Sequence, residues 1–141
     1  MNAPSRENVA QLAGFENLLD AVVVARRSDA GVMVARLAGT AVDVEVPLTD
    51  TDVGAPVRIA LRAGDALLAT AHPPGLSARN IIPGTVASLS QHGTTMQAVV
   101  DIGVPVHVHL TPTSSEALHL HAGCAIWLVI KTHSCHPVST V

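Results

Sequence analysis

Three short clusters of hydrogen-bond donors lie in the second half of this sequence. Ser77, Arg79 and Asn80 stand in "LSARNIIPGTV", immediately before a run of strand formers. Thr111 closes the segment "PVHVHLT", and Lys131 with Thr132 closes "IWLVIKT". Hydroxyl and amide side chains donate hydrogen bonds. Arginine is always charged and forks around oxygen pairs, and lysine is a compact ammonium. Lys131 is the only lysine among 141 residues. No carboxylate occurs inside the three clusters. The ligand expected from such a set is a small, oxygen-rich anion that only accepts.

The histidines suggest a rival chemistry. His107 and His109 alternate in "HVHL", and His119 and His121 in "HLHAG". Two residues apart on a strand means one face and a separation of ~7 Å. With His133, Cys135 and His136 there are enough donors for zinc, copper or nickel. Against this, His107 and His109 alternate with apolar Val106, Val108 and Leu110 and read as the outer side of a strand. His119 and His121 fall where a helix should end. Catalysis finds no support, because no nucleophile sits beside a base and no carboxylates are paired. No G-x-x-x-x-G-K-[ST] loop is present, so this chain is not expected to be an ATPase itself.

Composition limits the partners. The chain is 48% hydrophobic and 13% charged with a net charge of −3, so it can fold and has no field for nucleic acid or an anionic membrane. Phe15 and Trp127 are its only large aromatics, too few for base stacking. No apolar run reaches the ~18 residues of a membrane span, and "MNAPSRENVAQLAG" does not read as a secretory signal. Cys124 and Cys135 form no C-x-x-C pair, and a reducing cytoplasm is the expected location.

The elements that must position these residues come as a repeat. Residues 15–23 align with 78–86, placing Asn17 on Asn80, and "VMVARL" (32–37) aligns with "TMQAVV" (95–100). "AVDVEVP" then corresponds to "PVHVHLT", Gly54 to Gly123, and "VRIALRAGD" (57–65) to "IWLVIKTHS" (126–134). Two copies of one unit of roughly 60–70 residues follow. Strands are expected over 22–25, 32–37, 42–46 and 57–62, and again over 81–89, 95–101, 104–110 and 125–131. Short strands at this spacing suggest a barrel or sandwich. "TSSE" (113–116) fits a capping box and predicts one short helix, and a second is expected over Ser5–Leu12. The expected organisation is an N-terminal arm (1–14), a first unit (15–72), a linker (73–76), a second unit (77–138) and a tail (139–141). Units so small have marginal cores, so a homo-oligomer is expected.

"SARNIIPGTV" followed by "IKTHS" resembles the molybdate-binding modules called molbindins, or TOBE domains. The tandem arrangement resembles the C-terminal region of molybdate importer ATPase subunits, with "GFENLLDA" and "VRIALRAGD" similar to the first repeat there. The resemblance covers about residues 10–136. It implies an all-β fold of two tandem OB-like barrels with one or two short helices. It implies a homo-oligomer, dimer or trimer, with oxyanion sites at subunit interfaces. By position, Ser77, Arg79 and Asn80 match the family's first cluster, Thr111 its middle threonine, and Lys131 with Thr132 its closing pair. The implied ligand is molybdate or tungstate, with no organic cofactor. The implied role is cytoplasmic storage, buffering, sensing or regulation of uptake, with contact to a transporter ATPase in view. The chain reads as a stand-alone tandem module or an excised one. A donor-only cage would disfavour protonated phosphate, since an unpaired buried O–H costs roughly 1–3 kcal/mol. The first unit departs from the pattern: Phe15 and Glu16 stand for Ala78 and Arg79, and Arg62-Ala63 for Lys131-Thr132. Glu16 would repel a dianion, so no site is expected there. A histidine-rich metal binder and a ligand-free oligomerisation module remain as alternatives.

Overall fold

Alternation of small branched residues with polar ones sets the strands. Valine and isoleucine favour the pleated surface, and period-two patterning buries one face. In β3 (Asp43–Pro47) Val44 and Val46 are buried around a half-buried Glu45, and in β8 (Pro105–Leu110) Val106 and Val108 are buried around His107. The computed structural model describes residues 13–138. The helix expected over Ser5–Leu12 lies outside the described residues.

The chain is all-β and built as two five-stranded antiparallel sheets. The first contains β1 (Asn17–Arg27), β2 (Val32–Leu37), β3 and β4 (Pro56–Leu61). The second contains β6 (Asn80–His92), β7 (Thr95–Asp101), β8 and β9 (Ala125–Ile130). Each sheet is completed by a three-residue strand from the other half of the sequence. β5 (Leu67–Ala69) pairs with β9, and β10 (His136–Val138) pairs with β4. The strand orders are β10-β4-β1-β2-β3 and β5-β9-β6-β7-β8.

The two sheets repeat each other in detail. Register shifts fall between Val23 and Ala25 in β1 and between Val86 and Ser88 in β6. Each bulge lies beside a glycine whose N–H closes the sheet end: Gly54 donates to Val23 O and Gly123 to Val86 O, both at 2.7 Å. Both glycines sit at positive φ, 90° and 93°, which a side chain rarely tolerates. Asn17 lies opposite Leu61, and Asn80 lies opposite Ile130.

One apolar cluster joins the halves. It runs from Val23, Met33, Ile59 and Leu61 to Val86, Val100, Val108 and Leu128, all essentially without solvent contact. Among the described residues one α-helix, α1, spans Pro112–Ala117. Its N-cap is Thr111, not Thr113, with Ser114 N–H donating to the Thr111 hydroxyl at 3.1 Å. The shift has a plain cause: Pro112 suits the first helical position, where no N–H is needed. Two 3-10 turns, Ala63–Asp65 and Thr132–Ser134, follow β4 and β9 at equivalent places.

Candidate functional site

The end of β9 and the loop entering β6 lie side by side, with Asn80 opposite Ile130, and share a cleft with Glu45 of β3. Ser77, Lys131 and Thr132 meet there, joined by Glu45, Val32 and His133, around a cleft of about 330 Å³. A second cleft of about 410 Å³ shares Ser77 and Lys131 and continues over Leu67, Leu76, Ala78 and Val129. Lys131 leaves β9 in an extended conformation, φ −68° and ψ 146°, and its side chain is exposed. Thr132, 8% exposed, opens the 3-10 turn.

Asn80 does not line this cleft but holds Glu45, a residue that does. Its side chain, 4% exposed, takes Glu45 N–H on Oδ1 at 2.8 Å and donates through Nδ2 to Glu45 O at 3.0 Å. A further contact runs from Nδ2 to Cys135 Sγ at 3.7 Å. The amide therefore clamps β3 of the first sheet to β6 of the second. Both of its polar ends are committed to that task. Asn17 repeats the clamp, accepting His107 N–H and donating to His107 O, each at 2.8 Å.

The sequence-derived residues divide into three groups. Ser77, Lys131 and Thr132 share the cleft. Arg79 is exposed on the approach to β6, and among the described residues no ion pair holds its guanidinium. Thr111 is engaged at the helix cap, where its hydroxyl donates to Ser114 Oγ at 2.9 Å. It faces a different cleft, of about 390 Å³, lined by His109, Ser114, Leu118, Gly64 and Leu67.

The expectation of a donor set without a carboxylate does not hold. The Thr132 hydroxyl donates to Glu45 Oε2 at 2.6 Å, so an acid from the first half stands inside the cleft. Nothing near Glu45 in the sequence signals this. The repeat sets Glu45 against His109, two places beyond His107, the residue that Asn17 grips.

At the equivalent place in the first half, Glu16 Oε1 accepts the N–H of Ala63 at 2.8 Å. That hydrogen bond is the main cause holding the Glu16 carboxyl below its ordinary range, with His109 and Arg62 adding attraction. The Arg62 guanidinium lies 4.3 Å from the centre of the Phe15 ring, and His136 from β10 meets the same ring edge-on at 5.1 Å.

The histidines do not converge. Among the described residues no three of His, Cys, Asp or Glu come together as a metal-binding group. His107 Nδ1 pairs with Gln97 Nε2 at 3.2 Å, and His121 Nδ1 with His119 O at 3.0 Å. Cys124 and Cys135 are both free thiols. Burial pushes the Cys135 thiol up to about 12, so it stays protonated.

Comparison with known proteins places this geometry. Residues 76–137 match the model of the TOBE domain. The molybdenum import ATP-binding protein ModC of Mesorhizobium japonicum is 37% identical over 119 residues, covering 83% of this chain and 32% of that protein. ModC of Rhizobium etli is 35% identical over 91 residues, covering 63% of this chain and 26% of that protein. The chain thus spans a third or less of the length of these relatives. Among solved structures, the cytoplasmic molybdate-binding protein ModG, crystallised with molybdate bound, superposes with a TM-score of 0.79. That match covers 87% of this chain and 95% of ModG at 21% identity, which establishes a common fold.

Proposed function

Residues 76–137 of this chain form a TOBE domain, and from that premise we propose that the chain binds molybdate at the cleft between Ser77, Lys131 and Thr132. The observation that carries the reading is the meeting of three donors from two separate segments, within the span that matches the domain. Lys131 supplies charge, Ser77 a hydroxyl, and Thr132 a hydroxyl close to the turn. Arg79, which forms no ion pair among the described residues, adds charge from the approach to β6. Asn80 and Thr111 support the frame: one holds β3 in place and the other caps α1.

Molybdate is a tetrahedral dianion with four accepting oxygens, and tungstate shares its shape and charge. Both are expected to bind, and sulfate more weakly because it is smaller. The function is reversible binding rather than catalysis, serving storage, buffering, sensing or regulation of uptake in the cytoplasm. The relationship to import ATP-binding proteins supports contact with a transporter ATPase. Leu67 and Leu76, 64% and 45% exposed, flank Ser77 and Lys131 in the larger cleft. Apolar side chains beside a charged cleft favour burial against a second copy of the chain, a homo-oligomer with anion sites at the contact.

Calorimetric titration with molybdate, tungstate, sulfate and phosphate tests the reading, alongside native mass spectrometry. Saturable heat with molybdate and tungstate, carried by an oligomer, is the expected result. Equal heats for all four anions, or none, would remove the proposed function and leave the fold.

A further inference from the structure

We propose that Glu45 is the selectivity residue of the Lys131 cleft: a carboxylate from the other half of the chain that competes with the oxyanion for the same donors. This deepens the molybdate reading and rests on it. The Thr132 hydroxyl has one proton and gives it to Glu45 Oε2 at 2.6 Å. To donate to an oxyanion, that hydroxyl must leave Glu45.

Glu45 cannot withdraw as a whole. Its N–H and C=O are both gripped by the buried Asn80 amide, and β3 pairs it with Val34 on β2. Only its side chain can turn. Lys131, Thr132, His133 and Ser77 from the second half line the same cleft as Glu45. Among the described residues none of them forms an ion pair with it. Its negative charge therefore faces the cleft with one hydroxyl donor upon it.

Two consequences follow for a ligand. A fully deprotonated dianion meets Glu45 as repulsion. An oxyanion that carries a proton, such as hydrogen phosphate, can donate that proton's hydrogen bond to the carboxylate. Glu45 therefore weakens molybdate binding and narrows its advantage over hydrogen phosphate. Such a residue keeps the anion exchangeable rather than trapped.

The test is calorimetry on the full chain at fixed pH and ionic strength, with molybdate and phosphate as probes. Glu45→Gln keeps the shape and an acceptor for Thr132 but removes the charge. It should tighten molybdate about ten-fold, the scale of a unit charge acting on a nearby dianion in a solvated cleft. Phosphate should change by less than about three-fold, since its O–H loses the carboxylate as the repulsion is relieved. The molybdate gain should shrink as salt rises. Glu45→Ala, which removes charge and acceptor together, should also tighten molybdate, and adding Lys131→Ala to Glu45→Gln should erase the gain. Wild-type binding with unchanged or weaker affinity in both Glu45 variants would overturn the proposal and leave the molybdate reading standing. Absence of molybdate binding in wild type and in both variants, with native thermal unfolding, would overturn the reading itself.

Discussion

In the first half, the turn after β4 takes the Glu16 carboxylate on its leading N–H at 2.8 Å. In the second half, the matching turn after β9 begins with Thr132, and the sequence position of Glu16 is held by Arg79. The frame around both places is the same: an asparagine clamp, a bulge, a glycine at positive φ and a short 3-10 turn. Only the side chains differ, and they differ in sign. An acid at the first position satisfies a backbone donor from within the chain. A base stands at the second, and there the Thr132 hydroxyl donates to Glu45 from the other half of the chain. A repeated β frame thus carries side chains of opposite charge at equivalent positions.

The largest expected effect is on anion affinity. Lys131→Ala or Arg79→Ala should weaken molybdate binding by roughly 100-fold or more, as loss of a charge-assisted partner commonly does. Arg62→Ala should leave it within about two-fold, because Arg62 lies against Phe15 in the first unit. Calorimetry reads both, and an equal loss at Arg62 would show that the first half also binds.

Next come the clamps, where the two halves should behave alike. Asn17→Ala and Asn80→Ala each strand a main-chain N–H and C=O at the junction of the sheets. Each should cost about 2–6 kcal/mol, at about 1–3 kcal/mol for each of the two unsatisfied groups. Urea unfolding measures this, and a neutral result at either asparagine would break the equivalence.

A smaller effect is expected at Glu16. Glu16→Gln should cost a few tenths of a kcal/mol at neutral pH, since the carboxylate is exposed and screened. The Glu16 carboxyl is lowered in the folded state, so its contribution is complete above its unfolded value of 4.5 and is lost as pH falls through the folded value. Wild-type and variant unfolding curves should therefore converge on acidification. A gap that persists in acid would assign the effect to packing instead of charge.

The smallest signal is optical. Trp127 lies on β9, the strand that ends at Lys131, and rests edge-on against His72 with ring centres 4.9 Å apart. It is the only tryptophan, so any change in emission has a single source. A small saturating change in emission is expected on molybdate titration, and none in Lys131→Ala. The same change in that variant would detach the signal from the cleft.

Much of the fold was legible. The spans 32–37 and 95–101 coincide with β2 and β7, because each is a single period-two run bounded by turn residues. β1 and β6 extend beyond the expected spans, since their ends are held by pairing with β4 and β9 rather than by their own composition. β5 and β10 were not legible. Three residues carry no period, and their partners lie in the opposite half of the chain. At the site, donor type identified Ser77, Lys131 and Thr132, which share the cleft. The Asn80 side chain was expected among the ligands, yet burial turns it onto Glu45.

By itself the sequence determined the all-β class, the doubled unit, the donor clusters and the sign reversal between Glu16 and Arg79. These are properties of residue type and local period, and they survive without knowledge of any long-range contact. Tertiary structure alone decided the exchange of β5 and β10, the grip of Asn80 on β3, and the entry of Glu45 into the cleft. Each depends on which segments become neighbours when one apolar cluster is buried by both halves. That choice is made by the summed packing of many small side chains, and no short stretch of the chain encodes it.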